Sequence, residues 1–147
     1  MTVDWRRLSE MPSATQQKVL LTELQVLTSE LSIEQQTELL AALPPPLRVL
    51  FLLDWLDFEI AQGSLVAYFT NSHGRHAEQA LEALWEIGAT RMAEALSEAI
   101  QTSADPPDAA RLIELTDRYE DAADQDAWGD KLETYLRRTI AAEAARR

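Results

Sequence analysis

Two histidines close together in sequence are the most obvious candidates for chemistry in this chain. His73 and His76 follow Ser72, and with Glu59 or Glu78 they could coordinate a metal ion. However, no third ligand stands at a diagnostic spacing such as His-Glu-x-x-His, and Ser72 is not part of a Gly-x-Ser-x-Gly nucleophile motif. We therefore expect no metal site, no cofactor and no enzymatic activity.

Acidic residues are placed more regularly than the histidines. They recur every four positions in two consecutive segments, as Glu78, Glu82 and Glu86 in the first and as Glu94 and Glu98 in the second. Residues four apart share one face of a helix, and like charges there cost about 0.2–0.5 kcal/mol per pair. No Lys or Arg lies between the acids of either segment. We therefore expect these residues to bind a partner rather than to stabilise the helices.

The spacing of these acids is loosely similar to the spacing of phosphates. Four residues of helix rise by about 6 Å, which is not far from twice the roughly 3.4 Å between phosphates along one DNA strand.

A second acidic face carries Asp117, Glu120, Asp121 and Asp124, partly offset by Arg111 and Arg118. Rows of carboxylates such as these indicate an acidic docking surface.

Asp54 and Asp57 are a further acidic pair. They could act as a general acid and a general base, but many other pairs of acids in the chain fit that description equally well. We interpret them as the solvent-facing edge of an otherwise apolar helix, and we include them in the predicted partner-binding surface.

Composition restricts the class of partner. The chain has 147 residues, a formal net charge of −12 and no cysteine. A negative field repels nucleic acids and membrane surfaces and attracts basic proteins. Without cysteine there are no disulfides and none of the common structural zinc sites. No apolar run approaches the roughly 20 residues that span a bilayer, and the N-terminus lacks the apolar region of a signal peptide. These features predict a cytoplasmic protein.

Hydrophobic periodicity predicts an all-α fold of about seven helices in a single domain, residues 1–147. The predicted helices cover about Ala14–Ser29, Ile33–Leu43, Leu47–Gln62, Arg75–Ile87, Thr90–Thr102 and Asp108–Ala123, and a last helix runs from Asp130 through Ile140 and ends in basic residues. The helix Leu47–Gln62 is apolar on nearly all sides, so we expect the others to pack around it. It follows the rigid corner Pro44-Pro45-Pro46.

Local signals predict details of these elements. Ser32 with Gln35, and Asp130 with Glu133, are typical of capping boxes at helix starts. In the helix after residue 74 we expect Trp85 to point inward, and we expect a ring of the Tyr68-Phe69 pair to pack against the core. The predicted turn residues are Gly63, Asn71, Gly74 and Gly88, with a positive φ at Gly63 and Gly74.

The order of these signals resembles a known family. The matching residues are Glu59, Gly63, Tyr68-Phe69, Asn71, Gly74, Ala80-Leu81 and Ile87-Gly88-Ala89. Together they resemble the DNA-mimic proteins, which are small acidic all-helical bacterial proteins. The resemblance is best over about Leu52–Ile100, so residues 1–46 are interpreted as N-terminal helices and residues 47–147 as the DNA-mimic-like region. In Gln62-Gly63-Ser64-Leu65 the chain departs from the usual Asn-Gly-Gly with a following aromatic residue, which puts the shape of that turn and the choice of partner in question.

The resemblance implies a non-enzymatic protein that competes with DNA for a basic DNA-binding protein, such as a transcription factor or a histone-like protein. It also implies a homodimer. Two alternatives stay open at this point. The first is a structural or adaptor protein that docks through an apolar patch, and the second is an immunity-type inhibitor of a basic toxin.

Overall fold

The computed structural model describes residues 3–71, 73–104 and 107–147, except for the side chain of Asn71. The helices are α1 (Trp5–Ser9), α2 (Ser13–Thr28), α3 (Ile33–Ala42), α4 (Pro45–Asn71), α5 (Ala77–Ile87), α6 (Thr90–Thr102), α7 (Ala109–Gln125) and α8 (Trp128–Arg146). No strand occurs among these described residues, so the predicted all-α class is confirmed. Within the same ranges, no helix is long and apolar enough to cross a membrane.

The chain divides into two compact units. The terminal unit consists of Met1–Phe51 and Leu132–Arg147, and the middle unit is Leu52–Lys131. Helices α4 and α8 each begin in one unit and end in the other. The expectation of one domain over residues 1–147 stays a prediction.

Side-chain caps define two helix starts in the terminal unit. Asp4 precedes α1 and accepts a hydrogen bond from the N–H of Arg7 at 3.1 Å. The predicted capping box before α3 is confirmed, since Gln35 N–H donates to Ser32 Oγ at 3.2 Å and Ser32 N–H donates to Gln35 Oε1 at 2.9 Å. The buried apolar residues of this unit include Trp5, Leu8, Leu20, Leu24, Leu40, Leu43, Leu136 and Ile140.

Helix α4 contains the predicted central helix and extends beyond it. It begins at Pro45, where the missing N–H of proline costs no helical hydrogen bond. Up to Gln62, the Leu and Val residues of α4 that are at most 3% exposed are Leu47, Val49, Leu50, Leu52, Leu53 and Leu56. These positions lie on several sides of the helix, as predicted, and the predicted end at Gln62 coincides with a break in the helical backbone.

A break divides α4 at Gly63 and Ser64, where the backbone leaves helical geometry. The prediction of a positive φ at Gly63 is wrong, because its φ is −176° and Ser64 instead has φ 70° and ψ −177°. This is a strained conformation for a residue other than glycine. Ser64 Oγ accepts a hydrogen bond from Val66 N–H at 3.1 Å, and Thr116 Oγ1 accepts one from Leu65 N–H at 3.0 Å. These two bonds restart the helix after the break.

Gly63 is needed for a steric reason. A Cβ at this position would lie 2.7 Å from the Cβ of Ala67. A Gly63→Ala variant is therefore still expected to be less stable than the wild type, but because of close approach between two turns and not because of φ.

In the middle unit, α6 packs against both α5 and α7. Gly88 ends α5 with φ 83°, which confirms the predicted turn there. The connection between α7 and α8 is shorter than predicted, because only Asp126 and Ala127 join these two helices. Helix α8 consequently begins at Trp128, so the predicted cap at Asp130 is wrong and Asp130 lies within the first turn.

Candidate partner-binding surface

The outer face of α5 carries the first row of predicted acids. The inner face consists of the buried residues Ala77, Ala80, Ala83, Leu84 and Ile87. Burial of that face turns the opposite one to solvent, and Glu78, Glu82 and Glu86 are all exposed. In the described part of the chain, neither Glu78 nor Glu82 forms an ion pair. We call these three residues the α5 acidic row.

An exposed indole lies beside the α5 acidic row. The prediction that Trp85 points inward is wrong, because 48% of its surface is exposed. The inward position on this turn belongs to its neighbour Leu84, which is fully buried. Trp85 lies three positions after Glu82 and therefore shares its face. An exposed aromatic ring among carboxylates can contact a cation of a basic partner.

Contacts across a tight turn fix the start of α5. Gly74 has φ 63°, as predicted, and a Cβ there would lie 2.7 Å from the ring of Phe69. The buried Tyr68 donates a hydrogen bond from its hydroxyl to the carbonyl oxygen of Arg75 at 2.6 Å. The prediction that a ring of the aromatic pair faces the core is therefore confirmed. The side chain of Asn71, another predicted turn residue, lies outside the described part of the structure.

Glu98 on α6 differs from the acids of α5 because it is paired. Its carboxylate accepts a hydrogen bond from Nη2 of Arg111 at 2.7 Å and another from Nη1 of Arg118. The hydrogen bond from Arg111 is the main cause that lowers the pKa of the Glu98 carboxyl. The expectation that these acids have no basic partner is therefore wrong at Glu98, since α7 supplies both arginines.

Glu94 on α6 is exposed and lines a groove of about 490 Å³ between α6 and α7. Asp117 and Asp121 of the second acidic face line this groove, together with Arg91 and Arg118. The structure thus brings parts of two predicted acidic surfaces together. Arg91 and Arg118 in the groove offset part of the negative charge of these acids.

Asp54 and Asp57 are exposed on α4, as predicted. Partial burial raises the pKa of the Asp54 carboxyl, and the negative charge of Asp57 raises it further. Two aromatic side chains stand beside this pair. The ring centroids of Trp55 and Phe58 lie 6.1 Å apart, and 53% of Phe58 is exposed. This edge of α4 therefore presents both charge and apolar surface.

A residue that sequence reasoning missed holds the start of α6. Asp126 is almost fully buried, and its Oδ2 accepts a hydrogen bond from Met92 N–H at 2.9 Å. Arg91 Nη1 lies 3.7 Å from its Oδ1. Nearby, Lys131 Nζ donates to the carbonyl oxygen of Gly88 at 3.0 Å. Asp126 is 34 positions from Met92, so no local capping pattern could have identified it.

The two histidines occupy different environments. His73 is exposed, whereas His76 is buried and precedes α5. Burial lowers the pKa of His76, and the charge of Arg75 lowers it further. Over residues 3–71, 73–104 and 107–147, no group of three or more His, Asp or Glu side chains is arranged to hold a metal ion. Ser72, the hydroxyl considered as a nucleophile, lies outside these ranges.

Comparison with known proteins bears on the same part of the chain. No curated protein and no solved structure matches it. A family model described as DMP19-like protein matches residues 41–139. The matched range includes all of α4, α5, α6 and α7, and with them every acid of the predicted surface. Because the match extends over more than half of the 147 residues, the chain belongs to the DMP19-like protein family.

Proposed function

We propose that this protein binds a basic DNA-binding protein, such as a transcription factor or a histone-like protein, by presenting a negatively charged surface in place of DNA. The observation that carries the proposal is the α5 acidic row, in which Glu78 and Glu82 are exposed and have no ion pair among the described residues. The resemblance to DNA-mimic proteins and membership of the DMP19-like family support the same class of function.

The distribution of arginines supports a binding role for the row. Two arginines of α7 are paired with Glu98, and the chain has only 13 Lys and Arg against 25 Asp and Glu. Like charges four apart destabilise a helix when nothing compensates them. A basic partner compensates them on binding. An exposed acidic surface also steers a basic protein towards it and so speeds association.

The first experiment tests competition with DNA. The tagged protein captures partners from a lysate of the source organism, and each partner is then purified. Duplex DNA is added to the reconstituted complex. We expect DNA to displace the protein, because both occupy the same basic surface. A ternary complex, in which DNA and the protein bind the partner together, would exclude the proposal.

The second experiment tests the α5 acidic row directly. A Glu78→Gln, Glu82→Gln variant is compared with a Glu34→Gln, Glu38→Gln variant, which removes the same charge from exposed acids at the same spacing on α3. We expect the α5 variant to associate more slowly with the captured partner and to show weaker salt dependence. Equal rates for the two variants would mean that net charge alone steers the encounter and that the row is not a binding site.

A second candidate function is an adaptor that docks through apolar surface. Exposure of Phe58 (53%) and of Trp85 (48%) favours it. The two candidates differ in their response to salt, because electrostatic docking weakens steeply as ionic strength rises and apolar docking does not. Binding that is unchanged between low and high salt, and that is lost in Phe58→Ala or Trp85→Ala, would favour the adaptor.

A further inference from the structure

A small cleft in the middle unit combines apolar walls with carboxylates. Its volume is about 160 Å³. The lining residues are Asp57, Ile60, Ala61, Met92, Tyr119, Glu120, Ala123 and Trp128. Sites for small molecules usually occupy roughly 300–1,000 Å³, so this cleft suits a single side chain better than a cofactor or a metabolite.

The lining combines buried apolar residues with exposed carboxylates. Ile60 and Met92 are buried and apolar, whereas Asp57 and Glu120 are exposed and charged. A ligand that fits such a site has an apolar stem and a cationic tip. The side chains of Arg and Lys have this form, because an aliphatic chain carries their charge.

Tyr119 is a second and independent indication of a ligand. Only 6% of this residue is exposed, and it lines the cleft. No hydrogen bond of its hydroxyl is found among the described residues. Burial raises the pKa of Tyr119, and the charge of Asp57 raises it further, so the hydroxyl is neutral at physiological pH. A neutral phenol can accept a hydrogen bond from an ammonium or a guanidinium group.

We propose that this cleft binds one Arg or Lys side chain of the basic partner, with Asp57 and Glu120 facing the cation and Tyr119 accepting a hydrogen bond from it. The inference rests on the proposed function for the identity of the partner. It adds a defined contact point to an otherwise diffuse acidic surface. The aromatic ring of Trp128 at the same cleft can stack on a guanidinium plane, which would favour Arg over Lys.

The test uses amino-acid amides and needs no partner protein. The ¹⁵N-labelled full chain is titrated with Nα-acetyl-arginine N-methylamide, the lysine analogue and the uncharged norleucine analogue. We expect both cationic amides to shift the indole N–H resonance of Trp128 and the backbone amide resonances of Tyr119 and Glu120. Equal shifts with norleucine would overturn the proposal, because the cleft would then be an unselective apolar site. An absence of shifts with both cationic amides would also overturn it.

Matched variants assign the effect to the cleft. We expect Asp57→Asn with Glu120→Gln to weaken binding of the arginine amide about five- to tenfold, as two exposed charge contacts would. Glu34→Gln with Glu38→Gln removes the same charge from exposed residues of α3 and should leave binding within about twofold of the wild type. Equal loss in the two variants would show that overall charge, and not the cleft, attracts the cation.

The two proposals can fail separately. If the amides do not bind but DNA still displaces the protein from its partner, the cleft proposal alone is wrong. If the amides bind but the captured partner accepts DNA and this protein together, the proposed function is wrong, and with it the identity of the partner. If both proposals hold, Asp57→Asn with Glu120→Gln should speed dissociation of the partner, because this variant removes contacts with the side chain bound in the cleft.

Discussion

Helices α5 and α6 carry acids at the same spacing and use them differently. On α5, Glu78 and Glu82 face solvent and have no ion pair within the described residues. On α6, Glu98 binds Arg111 and Arg118. The difference comes from α7, which packs against α6 and supplies both arginines. Spacing along one helix therefore does not decide whether an acid is available to a partner; the neighbouring helix does.

The starts of α5 and α6 also differ in whether a neighbouring helix supplies a contact. Helix α6 is capped by the buried carboxylate of Asp126, a residue from the end of α7. Helix α5 has no side-chain cap and is positioned by the turn around Gly74, with the hydroxyl of Tyr68 bonded to the backbone of Arg75. Helix α6 is thus fixed by its neighbours, and α5 depends on backbone conformation. Four predictions test this comparison.

The largest effect should follow from removing the cap of α6. Asp126→Ala leaves the buried N–H of Met92 without an acceptor, and we expect the free energy of unfolding to fall by about 2–3 kcal/mol. Urea denaturation measures it. Asp124→Ala, at an exposed position near the same end of α7, should change stability by no more than about 0.5 kcal/mol. If the two variants are equally stable, α6 is not held by this carboxylate.

The next largest effect should come from the turn before α5. Gly74→Ala places a Cβ in the left-handed region, which costs about 1–2 kcal/mol, and also 2.7 Å from the ring of Phe69. Gly88→Ala has the same kind of φ but no atom within 4 Å of the added Cβ. We therefore expect thermal unfolding to show a larger loss for Gly74→Ala. A larger loss at Gly88 would mean that contact with Phe69 does not position the turn.

A smaller effect should distinguish paired from unpaired acids. Glu98→Gln should lower the melting temperature at pH 7, whereas Glu82→Gln should leave it unchanged or raise it slightly. The pKa of Glu98 is lowered from its ordinary value of 4.5, so its contribution to stability is complete above pH 4.5 and is lost as the pH falls through the folded-state pKa. The difference between wild type and Glu98→Gln should therefore shrink between pH 7 and pH 3.

Glu82→Gln serves as the reference in that experiment. Its melting temperature relative to the wild type should not follow the same pH trend, since no arginine is paired with Glu82 among the described residues. If Glu82→Gln is destabilised as much as Glu98→Gln, the contrast between the two helices does not hold.

The smallest effect concerns the histidine before α5. Burial lowers the pKa of His76 from its ordinary value of 6.5, so the unfolded chain binds the proton first as the pH falls. Stability should consequently rise with pH through the region just below 6.5. His76→Asn should remove this dependence, because Asn tolerates the left-handed backbone at this position (φ 63°). His73→Asn, at an exposed site, is the control. NMR titration of the two imidazoles measures the pKa values directly, and a value above 6.5 for His76 would contradict the prediction.

Sequence alone predicted several features that depend on neighbours within one or two turns, although the local rules failed at Gly63 and at Asp130. The helical period of the apolar residues predicted the all-α class and the burial of α4 on several sides. The capping box at Ser32, the left-handed Gly74 and the end of α5 at Gly88 followed from rules that involve only a few adjacent residues. The same rules placed Glu78 and Glu82 on one exposed face of α5.

Tertiary structure decided the features that depend on residues far apart in the chain. Glu98 meets arginines 13 and 20 positions away, Asp126 caps an N–H 34 positions away, and the strained backbone at Ser64 is supported by Thr116, 51 positions from Leu65. Trp85 is exposed although its type favours burial, because Leu84 already occupies the inward position. Local propensity does not determine which side chains are buried and which form ion pairs, because both depend on which helix lies alongside.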